Sequence, residues 1–469
     1  MMLLIGLSLC LSILFLVGFV TMDQTIMGVT LLLLFGGGVV YCLRRISEYI
    51  TLLVFLIAFF TFLMGRMIIP LFYDTSDLII DIGGEDFSIS TLSHMYLCLY
   101  LALLFVFVGF IISHTYCQNE GNYHFSSDSN EVLIIRDLTK KLLFFALPFI
   151  FLTTVERVMY VLREGYFAMY SDFQSRLPYL INLFSSLFNY AIFIFLATLP
   201  SKKEAKIPII LYISIAVLSL GTGQRGGFVL SFFFILMYMF LRNKLTPEDG
   251  PWISEKGLIA VAASIPLLLA FLFFMNYVRT ERDDDMATNV LLSFFYQQGV
   301  SVEVIGYTKD YETFFPNGKI YLLGDIIDYF RYNVFTRTLT GSGSVEAQSV
   351  KHALEDNSLD AALTYLVKPS FYLSGGGLGG CYIAEAWKDL GYFGVCLVSS
   401  IYGFLLAKIP QWFKSNIWLA SVGLVMFNQI IYAPRAHAIK PISIFTSVAV
   451  LLIYAYLYWA SRNIATEEL

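Results

Sequence analysis

Apolar residues in this chain come in blocks of roughly 17–23, the length that crosses about 30 Å of hydrocarbon as a helix. Short clusters rich in charge or glycine separate them. The blocks fall near 2–20, 25–43, 50–72, 92–113, 141–160, 178–199, 207–223, 226–241, 257–278, 390–409, 416–432 and 441–460. This pattern predicts an all-α polytopic membrane protein with about twelve transmembrane helices. One stretch breaks the alternation. Residues 279–389 open on Arg279-Thr280-Glu281-Arg282-Asp283-Asp284-Asp285 and close on Gly375-Gly376-Gly377-Leu378-Gly379-Gly380, and they are too long and too polar for a connector. The expected organisation is a nine-helix region over 1–278, a cap over 279–389 between spans nine and ten, and a three-helix region over 390–469.

Composition strengthens the membrane reading. Of 469 residues 58% are hydrophobic and 14% charged, where soluble chains average about 45–50% apolar. Basic connectors then set the orientation. If the spans alternate, Arg44 with Arg45, Lys140 with Lys141, Lys202, Lys203 and Lys206, Arg242 with Lys244, and Lys408 with Lys414 share one side, the cytoplasm. The cap and the acidic loop Asp74–Asp86 then face outward, and both termini are cytoplasmic. Within the cap, Val290–Ile305 reads as a re-entrant or interfacial helix, and Asp325–Arg337 as a helix on the membrane surface. The first apolar block lacks a basic leader and a small-residue cleavage site, so it reads as a retained span. Cys10, Cys42, Cys98, Cys117, Cys381 and Cys396 show no CxxC spacing, and no metal, cofactor or nucleic acid is expected. Gly375-x-Gly377-x-x-Gly380 formally matches a dinucleotide fingerprint. With no strand before it and an outward position, it reads instead as a close-approach loop.

The candidate chemistry lies on the outward side. Cytoplasmic connectors favour lysine, yet outward positions carry Arg157, Arg163, Arg176, Arg225, Arg279, Arg282, Arg331, Arg337 and Arg435. Arginine grips phosphate bidentately and stays charged when desolvated, so its retention there points to an anionic ligand. For Arg163 and Arg282, pairing with nearby acids explains the charge as well. Arg225 lies in Gly221-Thr222-Gly223-Gln224-Arg225-Gly226-Gly227, a tight hairpin with no acid nearby in sequence. Its alternative is a snorkelling side chain. Arg435, in Tyr432-Ala433-Pro434-Arg435-Ala436-His437, repeats the pattern, and Arg66 interrupts an otherwise clean span. Glu385 precedes the tenth span and suits a general base, unless it merely pairs with Lys388. Glu303, Asp389 and above all His437 are its rivals.

Several of these stretches resemble bacterial Wzy-type O-antigen and capsular repeat-unit polymerases. The carriers are Ser293-Phe294-Phe295-Tyr296-Gln297-Gln298-Gly299-Val300-Ser301, and Gly377-Leu378-Gly379-Gly380-Cys381-Tyr382-Ile383-Ala384-Glu385 running into Lys388-Asp389-Leu390-Gly391-Tyr392-Phe393-Gly394. The Arg225-Gly226 hairpin and Ala433-Pro434-Arg435 complete them. The likeness covers roughly the second half of the chain; the first half matches in hydropathy and span count. It implies a GT-C-like helical fold in the bacterial inner membrane. It also implies transfer of a glycan from undecaprenyl diphosphate onto an incoming lipid-linked repeat unit at the outer face. On this reading Arg225, Arg279, Arg331, Arg337, Arg435 and Gln298 bind diphosphate or glycan, and Glu385 or His437 takes the proton of the acceptor hydroxyl. The partners are the undecaprenyl-diphosphate-linked oligosaccharide, membrane lipid, a chain-length regulator and a flippase. An O-antigen ligase and a lipid-linked oligosaccharide flippase are the alternatives.

Overall fold

With no water in hydrocarbon to satisfy backbone groups, long apolar blocks close their hydrogen bonds within themselves and fold as helices. The computed structural model describes residues 2–74, 87–117, 129–166, 168–171, 173–247, 250–253, 257, 290–332 and 348–467, and among these there is no strand. Polar residues at the block edges start the helices. Asp23 accepts hydrogen bonds from the backbone N–H groups of Thr25 and Ile26 at 2.9 and 3.1 Å and caps Gln24–Leu43. Ser201 and Glu204 form a reciprocal capping box at the head of Lys202–Ser219.

Eight helices among the described residues are long and apolar enough to cross a membrane. They are Gln24–Leu43, Ile46–Leu71, Ile89–Thr115, Asn130–Glu164, Tyr179–Ala197, Lys202–Thr222, Gly226–Leu245 and Tyr382–Ser415. The hydropathy blocks predicted about twelve. Beyond Gly257, block 257–278 lies outside the described residues. Block 2–20 is helical over Met2–Thr21, and within it Ser8–Thr21 ranks as a shorter apolar helix. Block 416–432 forms the 14-residue helix Ile417–Ile430, which gives way to a tight 3-10 turn at Ala433–Arg435. Block 441–460 first forms a short helix Lys440–Ser443 and a 3-10 turn, and its long helix begins at Val448. Pro434 in the first turn and Pro441 in the short helix each lack the N–H that a helix continuing from the preceding residues needs.

The segments pack as two units. The first comprises Met1–Thr115, Ser254–Ala407 and Ile431–Ile439, and the second Tyr116–Ile253, Lys408–Ile430 and Lys440–Leu469. In the first, glycines let helix backbones touch. A side chain at Gly109 would meet the carbonyl oxygen of Ser400 at 1.9 Å, and one at Gly403 the carbonyl oxygen of Val106 at 2.0 Å. Small residues of this kind set crossings between membrane helices, where apolar burial drives little. Thr51 adds a 2.7 Å hydrogen bond to the carbonyl of Leu406. The helix from Ile46 passes through a π-helical turn at Phe60–Met64 just before Arg66, and helix Val290–Gln298 lies directly on that break. A side chain at Gly65 would meet the backbone oxygen of Phe295 at 2.9 Å, and one at Gly299 the backbone nitrogen of Arg66 at 2.7 Å.

The second unit is built on the 35-residue helix Asn130–Glu164 with Tyr179–Ala197, Lys202–Ser219, Arg225–Leu245, Ile417–Ile430 and Val448–Glu467. Two of its buried polar side chains are tied to a helix end: Arg136 donates to the carbonyl of Thr198 at 2.8 Å, and Tyr238 to that of Leu196 at 2.8 Å. Large apolar side chains such as Phe151, Leu162, Leu452 and Trp459 stay exposed, as a lipid-facing surface requires.

Candidate functional site

The site of interest lies in the first unit and begins with the glycine run. Gly375 (φ 91°) and Gly379 (φ 84°) take left-handed conformations that only glycine adopts cheaply. Gly380 lies against the Ala436–His437 backbone, where an added side chain would sit 3.3 Å from the carbonyl carbon of Ala436. The run leads into helix Tyr382–Ser415, which kinks at the non-helical Gly391 (φ 63°), just past the expected boundary at 389. Glu385 therefore sits in the first turn of a long helix, fully buried.

Two side chains of that helix fasten the segment Ile431–Ile439. Tyr402 donates to the carbonyl of Ala438 at 2.6 Å, while Glu385 Oε2 accepts from the N–H of Ala438 at 2.8 Å. The other oxygen, Glu385 Oε1, lies 2.6 Å from His437 Nδ1. The rivals of the sequence reading are thus bonded partners. The alternative pairing with Lys388 is not formed: Lys388 donates to the carbonyl of Glu312 at 3.1 Å and lies over the Phe315 ring. Asp389, another rival, accepts from the N–H of Leu322 at 2.7 Å and so anchors a loop.

Across the imidazole, His437 Nε2 faces Asp360 Oδ1 at 3.9 Å. Asp360 is in the first turn of Leu359–Val367, a helix capped by Ser358. Its Oδ1 accepts from the Ser358 hydroxyl and, at 2.9 Å, from the N–H of Ala361. Burial opposes charge on His437, but the Asp360 carboxylate and then the Glu385 hydrogen bond and charge outweigh it, raising the imidazole to about 10. Burial likewise opposes ionisation of Asp360, and His437, Ser358 and Ala361 override it, lowering its carboxyl below the usual range. The result is a carboxylate–imidazolium–carboxylate row.

A second polar row stands beside Asp360. His352 Nδ1 is 2.8 Å from the Tyr372 hydroxyl, its Nε2 is 3.8 Å from Asp356, and the Tyr332 hydroxyl donates to Asp356. Arg331, on helix Gly324–Tyr332, donates to the carbonyl of Glu355 at 2.8 Å and lies 3.9 Å from Asp356. Two further cations hold residues 290–305. Arg435 Nη1 is 3.4 Å from Gln298 Oε1, which unites two residues named from sequence. Arg66 pairs with Glu303 at 2.6 Å and lies over the Tyr296 ring.

Of the other candidates, Arg225 is the first residue of helix Arg225–Leu245 in the second unit. Arg279 and Arg337 lie outside the described residues. Among the described residues no group of three or more His, Cys, Asp and Glu side chains is arranged to hold a metal ion. Asp360 was missed from sequence, because Ser358-Leu359-Asp360 reads only as the start of a capped helix. Glu303 was read as a rival base and Arg66 as an isolated exception; their pairing depends on the helix break at Phe60–Met64.

These features define a polytopic helical membrane protein with a half-buried imidazole between two carboxylates and arginine close by in the chain. The chain matches the family model for the O-antigen polysaccharide polymerase Wzy over residues 2–468, and it belongs to that family. No curated protein and no solved structure matches it.

Proposed function

We propose that this chain joins undecaprenyl-diphosphate-linked oligosaccharide repeat units into O-antigen or capsular polysaccharide at the outer face of the bacterial inner membrane. On this reading both termini are cytoplasmic, the helices adopt a GT-C-like arrangement, and a flippase and a chain-length regulator work beside it. Family membership supports the polymerase chemistry in general. The observation that carries the finer reading is segment Ile431–Ile439, which presents Arg435 beside Gln298 and, two residues on, His437 bonded to Glu385. Transfer from a lipid diphosphate needs a cation for the leaving phosphates and a group to receive the acceptor's proton. The segment holds the cation, Arg435, and its His437 stands between the carboxylates Glu385 and Asp360, the groups that can receive the proton. Arg435 and Gln298 bind the diphosphate or the sugar next to it; Arg225, Arg279, Arg331 and Arg337 are further ligands proposed from the sequence. The donor carries its own leaving group, so the reaction consumes no nucleotide.

Deletion of the gene, followed by gel analysis of surface glycan, tests this. A polymerase deletion loses the ladder and keeps single repeats, and the full-length chain restores the ladder. Loss of all surface glycan points instead to flipping.

A further inference from the structure

Glu385 cannot meet a substrate directly. Its side chain is 0% exposed and both of its oxygens are already bonded, to His437 Nδ1 and to the N–H of Ala438. Asp360 differs on each point. Its side chain is 35% exposed, and among the described residues its Oδ2 accepts no hydrogen bond. The gap between His437 Nε2 and Asp360 Oδ1 is 3.9 Å, too long for a direct hydrogen bond. One hydroxyl oxygen at about 2.8 Å from both atoms would bridge them with an angle near 90° at that oxygen, so the gap matches a single polar group. The first turn of Leu359–Val367 holds the carboxylate there, and Thr364 of the same helix accepts from the N–H of Leu378 at 3.1 Å, tying it to the glycine run.

We propose that Asp360 is the catalytic carboxylate that takes the proton of the attacking sugar hydroxyl, and that Glu385 is a positioning residue acting through His437. This rests on the polymerase reading above. As the acceptor oxygen attacks the anomeric carbon of the donor, its O–H bond breaks and the proton passes to Asp360. The anomeric C–O bond to phosphate breaks at the same time, its electron pair leaving with the diphosphate. His437, held as a cation, donates Nε2–H to the attacking oxygen and stabilises the negative charge developing on it. That cation offsets the low basicity of Asp360. The charged groups facing His437 are Glu385 on Tyr382–Ser415, Asp360 on Leu359–Val367 and Asp325 on Gly324–Tyr332; His352 also acts on Asp360.

The experiment uses membranes from a deletion strain, which supply their own accumulated lipid-linked single repeats, together with purified full-length variants. Ladder formation is timed from about pH 5 to about pH 9. D360N is expected to slow polymerisation about 10²–10⁴-fold at every pH while still retaining the lipid-linked repeat, with D360E recovering part of the rate. E385Q keeps measurable activity at low pH and loses it earlier on the alkaline side, because His437 without its carboxylate partner gives up its proton sooner. If D360N does not fold, S358A replaces it: loss of the hydroxyl that holds Asp360 should cost about tenfold in rate with KM unchanged. Wild-type rates in D360N, or in S358A where D360N does not fold, overturn the assignment of Asp360. An E385Q variant that is inactive at all pH overturns the positioning role. A wild-type chain that restores no ladder overturns the polymerase reading itself, so the two failures are distinct.

Discussion

Arg66 lies 2.6 Å from Glu303, both side chains nearly enclosed, the arginine beneath a π-helical turn of one helix and the glutamate at the head of another. The guanidinium also faces the Tyr296 ring at 4.6 Å, so one cation links helix Val290–Gln298 to the head of helix Glu303–Asp310. Buried pairs of this kind gain little over apolar residues of equal size, yet breaking one strands the other charge.

That asymmetry gives the first prediction. Arg66→Ala or Glu303→Ala should each cost about 3–5 kcal/mol of stability, and replacing both by leucine should cost less than either. Thermal unfolding of the purified protein in detergent, compared across the three variants, checks it. A double variant less stable than both singles contradicts the argument.

His437 makes stability depend on pH. Its folded value of about 10 exceeds its ordinary 6.5, so the stabilisation from its two carboxylates is fully present below about 6.5 and is lost as pH rises towards about 10. Asp360 runs the other way: its value is lowered when folded, so its contribution is present above its ordinary 3.8 and lost as pH falls below it. The thermal midpoint should therefore decline between about pH 6.5 and pH 10, and His437→Gln should flatten that decline. An unchanged slope in the variant would remove His437 as the cause.

At Arg435 the shape of the cation is expected to matter as much as its charge. Arg435→Lys keeps the charge and loses the planar fork that reaches both Gln298 and a phosphate. Loss of a charged hydrogen bond of about 1.5–3 kcal/mol corresponds to a roughly 10–150-fold slower ladder, with protein level unchanged. Arg435→Ala should be slower still, and full activity in Arg435→Ala excludes a role in substrate binding.

Sidedness is open to direct chemistry. Single cysteines at Ser201 and Gly250 should react only from the cytoplasm, and those at Asn317 and Ser358 only from outside. Reaction of Asn317 from the cytoplasm alone would invert the scheme and undo the case for outward arginines.

Much of this architecture could be read before any coordinate. A backbone in hydrocarbon must satisfy itself, so the length and apolarity of a block such as 92–113 already imply a membrane helix, and Ser201 with Glu204 mark a helix start by local chemistry alone. Arg435, Gln298, His437 and Glu385 stood out because polar groups beside apolar blocks are few. Their relationships did not stand out. That Glu385 bonds His437, 52 residues away, rather than Lys388 on its own helical face follows from where helix Tyr382–Ser415 crosses its neighbours. Those crossings are set by backbone contact at Gly109 and Gly403, which carries no periodic signal along the chain. Asp360 reads locally as a residue of a capped first turn. Only the tertiary fold, by bringing that turn to the open side of the imidazole, makes it a partner of His437.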